Sequence, residues 1–421
     1  MRSSFLLPPL LLHAIGCGST ESSAPKGVAD AVSDAAIDAP IDAPDAADVD
    51  AADARAPTPC DTATAPSIAT VGSLQIGRYA PAAALLLDGR AFVGGGFDFA
   101  RGAQKSGELF DPTSNALSAG PSLVRARNFP ATVLLGDGSL LIAGGFNPGI
   151  GSLNTAELLD PTATASSPAA GAMSIGREAH SATLLDDGRV LIAGGLQATG
   201  FRFHASAELF DPSTRTFVTT GAMSTPRAFH VATRIGSSAR VLIVGGDSGK
   251  GEVASAEAYD PAAGTFSPLS SALSHPSKAL AGALLADGRF LIAGGANAKD
   301  GTLADAAIYT PSTDAIAPAS AMATRRIAFT LTLLDDGRVL AIGGFSDSTT
   351  PRASTAVLEV FDPATLTWET LPIALAQARH DHVAIKLGDC RVLVAGGQQV
   401  IGSGAPDAPL EVEAITIPRR R

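Results

Sequence analysis

Cysteine, tryptophan and tyrosine are scarce in this chain: three, one and three residues among 421. No Gly-x-Ser-x-Gly, Cys-x-x-Cys or His-Glu-x-x-His occurs, so the short motifs of hydrolases, thiol redox proteins and zinc peptidases are missing. No segment carries a helical period, and the apolar run Phe5 to Leu12 is too short to span a bilayer. Neither end is basic enough to point to nucleic acid, the tail Arg419-Arg420-Arg421 being weak support alone.

What the chain has in abundance is repetition. Leu184-Leu185-Asp186-Asp187-Gly188-Arg189-Val190-Leu191-Ile192-Ala193-Gly194-Gly195 recurs in seven variants. They end in Gly95-Gly96, Gly144-Gly145, Gly194-Gly195, Gly245-Gly246, Gly294-Gly295, Gly343-Gly344 and Gly396-Gly397, at spacings of 49 to 53 residues. A second phrase follows five of them at a steady distance, as in Glu108-Leu109-Phe110-Asp111-Pro112 and Glu208-Leu209-Phe210-Asp211-Pro212. Such a period marks a repeat architecture.

One unit, Arg177 to Met223, reads as four strands. Arg177 to Leu185 is the first, and Asp187-Gly188 supplies the positive backbone angles of a tight hairpin. Val190-Leu191-Ile192 is continuously apolar, as a strand covered on both faces would be. A loop of about ten residues leads to Ala207-Glu208-Leu209-Phe210, stopped by Asp211-Pro212, and a fourth strand lies around Thr216-Phe217-Val218. Four antiparallel strands repeated radially make a β-propeller blade, so the fold expected is all-β with seven blades.

The Gly-Gly strand, the Glu-x-aromatic-Asp-Pro phrase and the aromatic that follows resemble the kelch repeat over roughly residues 63 to 418. Trp368 keeps that family's tryptophan; Phe217, Phe266, Ile316 and Leu117 stand at or near the matching places. The unit at Ala307-Ile308-Tyr309-Thr310-Pro311 loses both acids. An RCC1-type propeller has a similar period but lacks the Asp-Pro phrase.

The ends read differently. Residues 1–17 form a signal peptide whose Ala14-Ile15-Gly16-Cys17 resembles a bacterial lipobox, which makes Cys17 the lipidation candidate; the other reading is an ordinary signal with an incidental cysteine. Gly18 after it resembles the pattern of lipoproteins sorted to the outer membrane. Residues 18–62 read as a disordered acidic Ala/Asp/Pro-rich tether and 419–421 as a basic tail. Residues 18–66 carry a net charge of −8 out of −11, so the acidity belongs to the tether, and a self-repelling tether is a spacer.

Ser67 to Leu74 looks like a fourth strand with no blade before it, and the seventh unit, ending at Leu410 to Ile415, lacks one. The N-terminal strand is therefore expected to complete the last blade and remove the open edges. Cys390 falls in the turn between the first two strands of that blade, and Cys60 just before the inserted strand. They read either as a disulfide stapling the closure or as two free thiols.

Candidate sites lie where blade links and second-to-third-strand loops share one face. Arg78, Arg127, Arg177, Arg227, Arg326 and Arg379 begin the first strands there, with Ser277 breaking the series. In kelch-type substrate adaptors arginines at this position can line a ligand mouth, which implies a cationic ring; alternatively each pairs with a repeat acid such as Glu157 or Glu208 and holds blades together. The loops after the Gly pairs vary and offer Phe97, Phe99, Arg101, Phe146, Phe201, Arg202, Phe203, His204, Lys250, Lys299 and Arg352, either as a binding surface or folded over the blades. His180, His230 and His382 share a repeat position and read as packing, not a metal site. Galactose oxidase, on a kelch-like propeller, holds copper with tyrosines, one cross-linked to a cysteine, and histidines; only Tyr79, Tyr259 and Tyr309 exist here.

These readings converge on an exported, monomeric binding or scaffolding module, anchored only by lipid at a bacterial envelope. Its expected partner is a protein or glycan, without nucleic acid, catalytic residues, metal or cofactor. The alternative is a carbohydrate oxidoreductase or sugar-processing enzyme on the same fold.

Overall fold

The computed structural model describes residues 58–236, 239–346, 352–400 and 407–420. Cys17, the signal segment and residues 18–57 of the tether lie outside the described residues. Seven four-stranded antiparallel sheets follow one another, each in the order first, second, third, fourth strand. We number them by their leading residue: Arg78 opens blade one, then Arg127, Arg177, Arg227, Ser277, Arg326 and Arg379.

Blade three shows how the sequence makes a blade. Its strands are Ser181–Leu184, Val190–Ala193, Ala207–Asp211 and Thr216–Thr219. The continuous apolar run is covered on both sides, as its composition requires. Val190 and Ile192 pack with Leu141, Leu158 and Met173 of blade two and its link, whereas Leu191 and Ala193 pack with Val241, Ile243 and Tyr259 of blade four. Each fully buried aliphatic side chain contributes roughly 1.5–3 kcal/mol. The core therefore lies between blades rather than inside one, and no blade is stable without its neighbours.

In the hairpin before Val190 only Gly188 takes a positive φ (+82°), so the turn is not the doubly left-handed kind expected from Asp-Gly. Asp187 instead accepts from the Arg189 backbone N–H (3.0 Å) and from its Nε (2.8 Å). The outer aromatic pairs across the ladder with the aromatic of the Asp-Pro phrase: Phe217 with Phe210, Phe266 with Tyr259, and Trp368 with Phe361, at 5.0, 4.8 and 5.0 Å between ring centroids.

The ring closes with the N-terminal strand. Ser67–Ser73 runs antiparallel to Glu411–Thr416 in blade seven, Ile68 opposite Ile415. Cys60 and Cys390 are joined, with Cα atoms 6.2 Å apart across a sequence separation of 330. Order begins earlier than composition suggests: Pro59–Thr62, placed in the tether above, is a helical turn with Cys60 buried. The tail is engaged as well, since Arg419 binds Asp61 (3.0 Å) and Asp335 (2.9 Å) and Arg420 binds Asp362.

Candidate functional site

The blade links and second-to-third-strand loops share one face, and its backbone forms a closed hydrogen-bonded ring. The second glycine of each pair donates to the carbonyl of the residue that opens the next blade: Gly96 to Arg127 (2.8 Å), Gly145 to Arg177 (2.9 Å), Gly195 to Arg227 (2.7 Å), and so on to Gly397 and Arg78 (2.9 Å). A Cβ on Gly195 would lie 2.8 Å from the Glu178 carbonyl oxygen, and φ is +92° there, so only glycine fits.

The six arginine side chains turn away from this face into their own blades, where each is at most 1% exposed. They form no cationic ring at the mouth, which corrects the ligand-face reading of Arg78, Arg127, Arg177, Arg227, Arg326 and Arg379. Each meets the repeat glutamate of its own blade: Arg78–Glu108 (3.0 Å), Arg127–Glu157 (2.8 Å), Arg177–Glu208 (2.8 Å), Arg227–Glu257 (3.0 Å), Arg379–Glu413 (2.9 Å) and Arg326–Glu359. Burial lowers the pKa of each guanidinium and the paired glutamate opposes that shift. The glutamate also accepts from the link before its blade, as Glu208 does from Ser174 N–H (2.9 Å). The pair thus ties link to blade, and blade-to-blade contact is left to backbone and core.

Two residues after each opening position stands a left-handed, non-glycine residue: Ala80, Phe129, Ala179, Phe229, Ala279, Ala328 and Asp381, with φ between 47° and 58°. Amide-to-carbonyl bonds such as Phe129 to Ala80 (3.0 Å) and Ala80 to Asp381 (2.9 Å) join this inner annulus. Asp381 is its one charged member and accepts from Gln398 Nε2 (2.6 Å). Sequence reasoning missed this annulus because left-handed geometry is signalled by glycine, and none stands there.

The histidines are packing groups. His230 Nε2 meets Ser181 Oγ (2.9 Å) and His382 Nε2 meets Thr330 Oγ1 (3.1 Å). His180 faces no such hydroxyl, because Ala131 stands at the place of Ser181 one blade back, and both its ring nitrogens lack partners. Burial holds all three imidazoles below their ordinary pKa, His230 at about 3.

Among the described residues, five of the seven variable loops carry short two-stranded ribbons, an element the sequence did not announce. They include Phe97–Asp98 with Gly102–Ala103, Phe146–Asn147 with Gly151–Ser152, and Leu196–Gln197 with Arg202–Phe203. Phe99, Ile150 and Phe201 stand at the tips of these three, 38%, 59% and 44% exposed. Phe97, Phe99, Phe129 and Tyr79 form one aromatic group, Tyr79 stacking on Phe99 at 5.2 Å. Phe203 packs inward on Ala179, Leu196 and Phe229, so it is loop core rather than surface. Arg101 is exposed on Asp98, while Arg202, Lys250 and Lys299 face solvent. Lys278, which sequence reasoning passed over, bridges Asp247 (2.9 Å) and Glu252 (3.3 Å). Glu178, also passed over, has its carboxyl pushed up to about 7 by burial, opposed by the hydroxyl of Ser152.

A copper centre of the tyrosine–histidine kind does not fit these residues. Tyr259 and Tyr309 reach Thr220 (2.8 Å) and Asp314 (2.6 Å) beside the outer strands, and Tyr79 is packed among phenylalanines. Among the described residues no three of His, Cys, Asp and Glu group so as to hold a metal.

Comparison with known proteins agrees with this architecture. The kelch motif family matches residues 331–373. A solved structure described as a novel fungal alcohol oxidase of the AA5 family, in complex with copper, superposes with a TM-score of 0.65 at 18% identity, covering 84% of this chain and 76% of that one. No curated protein matches in sequence. With 955 solved chains alike in shape, the likeness speaks to fold and not to activity. Motif, seven blades and structural likeness together make this chain a kelch-repeat β-propeller.

Proposed function

We propose that the protein is a non-enzymatic binding or scaffolding module, exported and lipid-anchored through Cys17 at a bacterial envelope, that takes a protein or glycan on its ribbon face. One observation carries the reading: Phe99, Ile150 and Phe201 are exposed apolar tips on three successive ribbons, where no core needs them. The Tyr79 aromatic group beside Phe99 adds flat apolar surface of the kind that stacks on a sugar ring or receives an apolar side chain. The acidic spacer would hold this face away from the membrane.

The test is a screen of the purified protein against arrays of glycans and envelope polymers. A reproducible ligand whose binding is lost in Phe99→Ala/Phe201→Ala, at unchanged melting temperature, supports the face; binding indifferent to both changes overturns it. Cys17→Ser should move the protein from the membrane fraction to the soluble one, and an unchanged distribution removes the anchor.

The enzymatic alternative draws on Glu178, whose carboxyl near 7 can exchange a proton at neutral pH. It predicts turnover of a sugar or alcohol that Glu178→Gln abolishes.

A further inference from the structure

Blade five lacks both members of the buried pair. Ser277 stands where six blades have arginine, and Ala307 where they have glutamate. The space is not refilled: a cavity of about 220 Å³ remains, lined by Ser274, Ser277, Leu280, Gly294, Asp305 and Ala307 among others. A hollow of roughly 150 Å³ already admits a benzene-sized molecule.

What the cavity keeps is the receptor for the missing guanidinium. In the six paired blades arginine Nη1 donates to two backbone carbonyls. The first belongs to the leading glycine of the pair, at 2.7–3.1 Å. The second belongs to the first residue of the third strand or the one just before it, at 2.6–3.1 Å. In blade five these positions are Gly294 and Asp305, whose own ladder contact, Gly294 N–H to the Asp305 carbonyl (2.8 Å), is intact. Asp305 also puts a carboxylate where blades one, three and four have Ser106, Ser206 and Ser255. That carboxylate is 45% exposed at the cavity mouth and meets His275 Nδ1 at 2.5 Å. The hollow therefore presents two carbonyl acceptors and one anion, with no built-in cation but a partly exposed imidazole.

We propose that the hollow of blade five binds a guanidinium group, brought either by a small free guanidine or by an arginine side chain of a partner protein. A planar fork of N–H donors suits two carbonyls and a carboxylate, whereas an ammonium is a point donor. The apolar wall receives the carbon chain that precedes the fork. None of the residues named here belongs to a ribbon, so the inference stands apart from the ribbon-face reading.

The test is calorimetric titration of the full chain with methylguanidine, agmatine and a blocked arginine peptide, with butylamine and methylurea as controls. Saturable binding of the guanidines but not the controls is expected. Asp305→Asn should weaken it about tenfold or more, since a charged acceptor is lost. Ser277→Arg/Ala307→Glu, which rebuilds the pair, should abolish it; Ser277→Leu fills the cavity should that double variant fail to fold. Peptide binding tighter than agmatine identifies a partner's arginine, and equal binding a free guanidine. No saturation at millimolar guanidine, equal binding of butylamine or methylurea, or binding that survives filling the cavity overturns the proposal.

Discussion

Blade three and blade five are built alike in strands, hairpin and inter-blade backbone bonds, yet one encloses an ion pair and the other a hollow. Gly195 donates to the Arg227 carbonyl at 2.7 Å, and Gly246 donates to the Ser277 carbonyl at 2.8 Å. The blade-to-blade bond therefore does not depend on the arginine side chain. What differs is how the link is held: Ser174 N–H rests on Glu208 in blade three, while Ala307 offers Ser274 no acceptor in blade five. A buried pair costs much to desolvate and is strongly destabilising only when one partner is left alone. Losing both together is thus a less costly route to a cavity than losing either partner alone.

The comparison can be broken most severely in blade three. Arg177→Ala leaves Glu208 buried and unpaired and should lower unfolding free energy by about 3–5 kcal/mol in urea titration, whereas Ser277→Ala should change it by less than about 0.5 kcal/mol. Similar losses at the two positions would mean the pair is not what separates the blades.

The seam supplies an independent scale. Cys60→Ser removes the cross-link across the closure and should cost about 2–4 kcal/mol, adding to the Arg177→Ala loss because the sites share no partner. A strongly non-additive double variant would show that blade three and the closure are coupled.

A smaller effect should come from converting blade three into a copy of blade five. Arg177→Ser/Glu208→Ala empties the site of both charges and should cost about 1–3 kcal/mol, less than Arg177→Ala alone, the remainder being the cavity. A double variant as unstable as the single one would break the argument for paired loss.

The smallest effect concerns acid. His180 of blade three occupies the place of Leu280 in blade five, and burial, then the nearby Arg177, His230 and Arg127 charges, hold its pKa far below 6.5. The folded state binds no proton where the unfolded imidazole does, so stability is complete above about pH 6.5 and falls below it, by up to about 1.4 kcal/mol per pH unit. His180→Leu should reduce the fall of melting temperature between pH 6.5 and 5.5, the remaining slope belonging to His230 and His382; an unchanged slope would show that this imidazole is not linked to folding.

Much of the frame was legible in residues. Gly-Gly spacing announced seven blades, the continuous Val190-Leu191-Ile192 run announced a strand covered twice, and the surplus strand at Ser67 announced the closure. The ribbons were not legible, because two-residue strands inside a ten-residue loop show no periodicity. The annulus of Ala80, Phe129 and Asp381 was hidden because its positive angles are imposed by neighbouring blades on residues that do not prefer them. The opening arginines were visible and their orientation was not. A repeat period places a side chain in every blade but does not say whether it points to the channel or into the sheet.

The sequence by itself determined the blade count, the strand order and the residues that must be glycine, because period, hydrophobic run and turn chemistry are local. Only the tertiary structure decided that the arginines are buried on their glutamates and that a cavity remains where Ser277 and Ala307 stand together. Those outcomes depend on residues about thirty apart meeting inside one sheet, where desolvation sets the energy and no local rule applies.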